Sequence, residues 1–171
     1  MVGLLKSKEK PEGPVEYENT AEIEASAESV YRLLDFADPL NQRRQMGDAI
    51  TDLGGSRTFD LTMAALPGIP FRFEIIEATP FSRYVFECPS SDPEANLVNC
   101  REEYTFEPIS KDQCKLHCKT IAEFRQGLSL EEFGREVAMM GAGVADSQYK
   151  LKLQAEEGID AVMKYEAEKW L

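Results

Sequence analysis

Basic residues are in short supply in this 171-residue chain. Lys and Arg total 19 against 31 Asp and Glu, which leaves a formal net charge of -12. Nucleic acids and anionic membrane surfaces are bound mainly through clusters of Lys and Arg, and the sequence has no strong cluster of this kind. The sequence therefore predicts that neither nucleic acid nor a membrane surface is the partner.

Long apolar runs are also missing. The first twenty residues lack the apolar core of about seven or more residues that a signal peptide needs, and no segment approaches the roughly 20 apolar residues of a transmembrane helix. We therefore expect a cytoplasmic protein without membrane insertion. The 43% of hydrophobic residues suits one globular domain, which we assign to residues 15–171, with residues 1–14 as a flexible lead-in.

Cysteine and histidine are too few to indicate a disulfide framework or a metal centre. The four cysteines are expected to be reduced core residues. His117 lies between Cys114 and Cys118, but on a strand its side chain points away from theirs. No glycine motif for phosphate binding is present either, so the sequence predicts no metal and no cofactor.

Residues 15–124 alternate between apolar and polar side chains in short segments separated by turns. The turns are too short for crossover helices, which favours antiparallel strands with one apolar face. Ser26 is suited to cap a helix over residues 27–36. A second short helix is expected over residues 40–46, with residues 41–45 on a mostly solvated surface. The predicted strands cover residues 15–24, 49–53, 57–65, 71–78, 81–88, 98–108 and 113–125.

Residues 129–168 contain no proline, and their apolar side chains recur at helical spacing. One straight helix of this length would extend ~60 Å, which is long for a domain with a radius of gyration of about 15 Å. We therefore predict a break at residues 140–143, where Gly141 and Gly143 weaken the helix. The two pieces would be residues 130–140, capped by Ser129 and Glu132, and residues 144–168.

Two segments carry a resemblance to a known family. They are AEIEASAESVY at residues 21–31, a strand entering a capped helix, and YTFEP at residues 104–108. With the order of elements, they resemble the START-like, Bet v 1-like helix-grip superfamily (SRPBCC), which includes bacterial polyketide cyclase/dehydratase-like proteins. The resemblance implies an α+β fold in which a curved antiparallel sheet of about seven strands wraps around a long C-terminal helix. It also implies a cavity between sheet and helix, but no shared catalytic motif.

Side chains on the inner face of the sheet and helix are the candidates for ligand binding. Their apolar members suit a pocket and a plain core equally well, and their polar members suit either a ligand or the backbone. The candidates are Tyr17, Asn19, Phe59, Leu61, Met63, Phe73, Tyr84, Phe86, Thr120, Val144 and Gln148.

Glu102 and Tyr104 are the candidates for catalysis. The alternation of the strand places both on the inner face. A carboxylate facing an apolar cavity has a raised pKa, which suits general acid or base catalysis. The alternative is that Glu102 lies near the strand end and reaches water or an Arg.

Three functions are consistent with these patterns. The first is a binding module for an apolar or aromatic small molecule. The second is a polyketide cyclase/dehydratase-like enzyme in which Glu102, with Tyr104 or Tyr84, moves protons. The third is a co-chaperone-like interaction domain with a filled interior. A cavity and the environment of Glu102 distinguish among them.

Overall fold

A computed structural model describes residues 11–169. Seven strands form one antiparallel sheet in the order β1-β7-β6-β5-β4-β3-β2. Residues 11–14 have no regular secondary structure, and most of the predicted lead-in, residues 1–10, lies outside the described residues. The strands are β1 (Val15–Ile23), β2 (Ala49–Gly54), β3 (Thr58–Thr62), β4 (Pro70–Thr79), β5 (Arg83–Pro89), β6 (Leu97–Ser110) and β7 (Gln113–Phe124).

The predicted strands are all present, and alternation along β7 shows why. Cys114, Leu116 and Cys118 are buried, while the residues between them are partly exposed. One face of the sheet therefore packs on the core and the other meets solvent. All four cysteines are free.

Two short helices connect β1 to β2. The first, α1 (Ala27–Leu34), begins at Ser26, whose hydroxyl accepts a hydrogen bond from the Ser29 backbone N–H. The second, α2 (Gln42–Gln45), begins at Asn41, whose side chain accepts from the Arg43 backbone N–H. Both helices were predicted, and both have the polar cap that satisfies a free N–H at the helix start.

The C-terminal stretch forms α3 (Leu130–Glu157) and α4 (Ile159–Glu168). The capping box of Ser129 and Glu132 is present. The predicted break at residues 140–143 is wrong, because the chain breaks at Gly158 instead. Gly158 has a φ of 91°, a conformation that glycine adopts at little cost.

Gly141 stays inside α3 because the helix packs closely on β1 at this point. A Cβ atom on Gly141 would lie 3.2 Å from Cε1 of Tyr17, and the Tyr17 hydroxyl donates to the Val137 carbonyl at 2.8 Å. Close packing here therefore offsets the weak helix propensity of glycine.

This packing predicts different effects for alanine at two neighbouring glycines. Gly143→Ala should raise the free energy of unfolding by about 0.5–1 kcal/mol, because a Cβ atom there meets nothing within 4 Å. Gly141→Ala should give a smaller gain or a loss, because Tyr17 must shift. Urea denaturation measures both, and the Tyr17→Leu background should restore the gain at position 141. Equal gains in the native background would contradict the close contact.

The core lies between the sheet and the helices. α3 packs against β1 and α1, and its buried side chains are Lys150, Leu151 and Gln154. Within residues 11–169, none of the helices is both long and apolar enough to cross a membrane. This arrangement leaves a space between α3, the α1–α2 segment and strands β3 to β6.

A cavity between the sheet and the helices

The space between the sheet and the helices is a cavity of about 220 Å³. Strands β3 to β6 form its floor, and the α1–α2 segment and the middle of α3 form its walls. Most of the lining is apolar, so the cavity favours an apolar occupant. The apolar lining residues are Leu33, Leu34, Phe36, Leu61, Met63, Phe71, Phe73, Phe86 and Leu151.

Three phenylalanines form one aromatic side of the cavity. The Phe36 ring lies 4.7 Å from the Phe73 ring and 5.3 Å from the Phe86 ring, between centroids. Phe73 and Phe86 are 5.4 Å apart in an edge-to-face arrangement. These distances are typical of favourable aromatic pairs, and they place flat apolar surfaces beside the open space.

Glu102 and Tyr104 supply a polar pair on the cavity floor. Both line the cavity, because residues two apart on β6 point to the same face. The Tyr104 hydroxyl donates a hydrogen bond to Oε2 of Glu102. The two residues therefore act as one polar unit in an apolar surrounding.

The surroundings of this pair change both acidities. Burial raises the pKa of the Glu102 carboxyl, although the bond from Tyr104 and the positive charge of Arg43 act in the opposite direction. Burial and the neighbouring Glu102 raise the pKa of the Tyr104 phenol well above its usual range. Glu102 is therefore a carboxyl that takes up a proton more readily than a solvated one.

Arg43 reaches the cavity from α2. It lines the cavity, and its Nη1 atom lies 3.6 Å from Oδ2 of Asp48. Arg43 and Glu102 interact electrostatically without forming an ion pair. The alternative that Glu102 lies near the strand end is wrong, because Glu102 lies within β6, and Arg43 acts on it only through its charge.

The prediction that residues 41–45 form a mostly solvated surface is wrong, because Gln45 alone among these five residues is exposed. Asn41 is 2% exposed, and its Nδ2 atom donates to the carbonyls of Leu34 and Asp35. The same side chain caps α2, so it ties the two short helices together. The next two residues of α2, Gln42 and Arg43, line the cavity.

Lys150 belongs to a polar cluster where α4 meets α3. Its Nζ atom lies 2.9 Å from Oδ2 of Asp146 and 2.9 Å from Oε1 of Glu166. Asp146 also accepts bonds from Tyr165 at 2.8 Å and Lys169 at 2.7 Å. Burial alone would raise the pKa of Asp146, but these hydrogen bonds lower it to about 2.

The structure divides the predicted site residues into three groups. At the cavity are Leu61, Met63, Phe73, Phe86, Glu102 and Tyr104. Buried in the sheet core, but not lining the cavity, are Phe59, Tyr84 and Thr120. In a separate groove between β1 and α3 are Tyr17, Asn19, Val144 and Gln148.

Four of the polar candidates outside the cavity, Tyr17, Asn19, Tyr84 and Gln148, already have partners within the protein. The Tyr84 hydroxyl accepts from the Phe36 backbone N–H at 3.1 Å. Asn19 donates from Nδ2 to Oε1 of Gln148 at 2.6 Å. These side chains fasten the short helices and α3 to the sheet.

Sequence reasoning missed Phe36, Arg43, Ser147 and Lys150 at the cavity. For α3, the apolar period pointed to Val144 and Gln148, whereas the cavity side of the helix carries Ser147 and Lys150. Lys150 could not be recognised from the sequence as a lining residue. The carboxylates that neutralise its charge are Asp146, one turn earlier in α3, and Glu166 in α4.

Within residues 11–169, no group of three or more His, Cys, Asp or Glu side chains is placed to hold a metal ion. His117 lies on the outer face, as its position on the strand predicts. Its ring nitrogens lie 3.1 Å from the Thr20 hydroxyl and 3.2 Å from Oε2 of Glu107.

The chain was compared with known families, curated proteins and solved structures. No family model and no curated protein matches it. Among solved structures, it is similar to Ara h 8.0201, with 10% identity, 90% of this chain and 97% of that chain covered, and a TM-score of 0.60. It is also similar to norcoclaurine synthase from Thalictrum flavum, with 14% identity, coverages of 91% and 89%, and a TM-score of 0.56.

A third similar structure is StfQ, a di-domain ARO/CYC protein from the steffimycin biosynthetic pathway. The identity is 15%, the TM-score is 0.61, and the match covers 85% of this chain and 51% of that chain. Sequence identities this low show only that the fold is shared. The chain has the helix-grip fold, and the fold implied by the resemblance of its sequence is confirmed.

Proposed function

We propose that this protein binds an apolar or aromatic small molecule in the cavity between sheet and helix. The observation that carries the proposal is a cavity of about 220 Å³ with mostly apolar walls and a few polar groups. Small-molecule pockets commonly measure ~300–1,000 Å³. The occupant is therefore small, of the size of one or two rings.

One of the similar structures supports a ligand of this size. The norcoclaurine synthase structure is a complex with dopamine and hydroxybenzaldehyde, each a single-ring aromatic molecule. The aromatic side formed by Phe36, Phe73 and Phe86 offers this chain a flat apolar surface for a ring. A cytoplasmic location stays a prediction from the sequence.

Native mass spectrometry of the protein purified from its own host tests the proposal. An excess mass that is released on denaturation and organic extraction would identify the chemical class of the occupant. A protein that carries no excess mass and binds no member of a library of one- and two-ring molecules would contradict the proposal.

Filling the cavity should weaken retention of the occupant. Met63→Trp adds a bulky ring at the cavity lining, and we expect it to weaken binding about tenfold or more, because the occupant must displace the added ring against an overpacking cost of ~1–3 kcal/mol. Ile76→Trp is the matched control, since Ile76 is 43% exposed and does not line the cavity. Equal retention by both variants would show that the occupant binds elsewhere.

The Glu102–Tyr104 pair favours a second candidate, an enzyme that moves a proton on the bound molecule. Glu102 faces the cavity and has a raised pKa, which are the two properties of a general base in an apolar site. The similarity to an ARO/CYC protein suggests cyclisation or dehydration as the reaction class.

The test of this candidate is turnover of the molecule identified by mass spectrometry. A base must be ionised, so activity should rise with pH through a value above the usual range for Glu. Glu102→Gln should lower the rate by about 10²-fold or more and remove this rise while ligand binding persists. Turnover that survives in Glu102→Gln would exclude the mechanism and leave binding as the function.

A further inference from the structure

Two ionisable groups face the cavity with hydrogen-bonding capacity that is not used within residues 11–169. Oε2 of Glu102 accepts from Tyr104, whereas Oε1 has no partner. The Arg43 guanidinium lies 3.6 Å from Asp48, which is beyond the ~2.7–3.2 Å of a normal N–H···O bond. One acceptor and one multiple donor therefore remain available to an occupant.

The other main polar groups of the lining are already engaged. Asn41 binds the backbone at the end of α1. Gln42 donates from its amide to the Lys150 carbonyl at 2.9 Å, and the Lys150 ammonium is held by Asp146 and Glu166. The Tyr104 hydroxyl donates to Glu102, and Ser147 adds a second hydroxyl to the lining. Recognition of a polar group therefore depends mainly on Glu102 and Arg43.

The charges at this end of the cavity disfavour an anionic ligand. The positive charge of Arg43 is offset by Asp48, and an ionised Glu102 adds a further negative charge. Moving an anion into such a site costs free energy. A neutral group that both donates and accepts a hydrogen bond fits the two residues together, and a hydroxyl is such a group.

We propose that the cavity selects a neutral phenolic ligand, whose hydroxyl donates to Glu102 and accepts from Arg43 while its ring packs against Phe36, Phe73 and Phe86. This inference rests on the proposed binding function of the cavity. It adds Arg43 as a residue that determines specificity.

Three single-ring probes of similar size separate the contributions of the ring, the hydrogen-bond acceptor and the hydrogen-bond donor to binding. Toluene offers the ring alone, 4-methylanisole adds an acceptor, and p-cresol adds a hydroxyl that donates and accepts. Binding is measured by NMR titration of the ¹⁵N-labelled protein. Since a hydrogen bond to a charged group is worth ~1.5–3 kcal/mol, p-cresol should bind about tenfold or more tightly than toluene. 4-Methylanisole should bind more weakly than p-cresol because it cannot donate to Glu102.

Two variants test whether Glu102 and Arg43 cause the tighter binding of p-cresol. Glu102→Gln and Arg43→Met should each reduce the ratio of p-cresol to toluene affinity about fivefold or more, while toluene binding persists and shows that the cavity is intact. Arg135→Met is the control, because Arg135 is exposed on α3 and does not line the cavity. It should keep the full ratio.

The outcomes separate this inference from the proposed function. If toluene and p-cresol bind equally, or if the preference survives in both cavity variants, the phenol assignment is wrong while the binding cavity stands. If no probe shifts the resonances of cavity residues in the native protein, the proposed small-molecule function fails and the phenol assignment fails with it.

Discussion

Replacing Phe36 with Ala is expected to lower the free energy of unfolding by about 3–5 kcal/mol. Phe36 is 5% exposed. Besides the two cavity rings described above, its ring centroid lies 5.8 Å from that of Phe59 and 6.4 Å from that of Tyr84. Its removal takes away aromatic contacts with four rings at once and enlarges an existing cavity, which neighbouring side chains refill only in part.

Urea denaturation followed by circular dichroism measures this loss. Phe36→Leu should cost less, because Leu retains more of the volume than Ala does. Ile76→Ala is the exposed control and should change the free energy by about 0.5 kcal/mol or less. A loss below about 1 kcal/mol for Phe36→Ala would mean that this side of the cavity is not packed as described.

Acid should weaken the protein through Asp146. Its pKa is lowered from 3.8 to about 2 in the folded state, so its contribution to stability is complete above pH 3.8 and declines as the pH falls toward 2. A shift of nearly two pKa units corresponds to about 2 kcal/mol. The cause is the set of hydrogen bonds from Lys150, Lys169 and Tyr165.

Asp146→Asn removes the titrating group and should flatten this part of the pH profile. The native protein should exceed the variant in unfolding free energy by about 2 kcal/mol at pH 6, and the difference should disappear near pH 2. Asp112→Asn is the control, because the Asp112 side chain is 78% exposed. A difference that stays constant from pH 6 to pH 2 would argue against the ionic role of Asp146.

The order of strands and short helices could be predicted because it depends on local signals. Alternation marks the strands, and Ser26 and Ser129 carry side chains that cap the helices they precede. The position of the helix break could not be predicted in this way. The low helix propensity of glycine is the same at Gly141 and Gly158. Their surroundings differ, because the Tyr17 ring packs against Gly141 and Gly158 has a positive φ.

The cavity was harder to predict than the fold. Alternation along β6 correctly put Glu102 and Tyr104 on the inner face, because both lie on one regular strand. It could not show that Arg43 turns inward, since this depends on the buried Asn41 bonding to the end of α1. Residues brought to the site by such long-range or loop contacts leave no periodic trace in the sequence.

The pairing of β1 with β7 has a consequence for how the chain folds. The two strands are in register from Val15 opposite Ala122 to Ile23 opposite Cys114, so within residues 11–169 the first strand pairs only with a strand about a hundred residues later. Contacts of such sequence separation slow folding. During synthesis, β1 therefore leaves the ribosome well before β7, the strand with which it pairs.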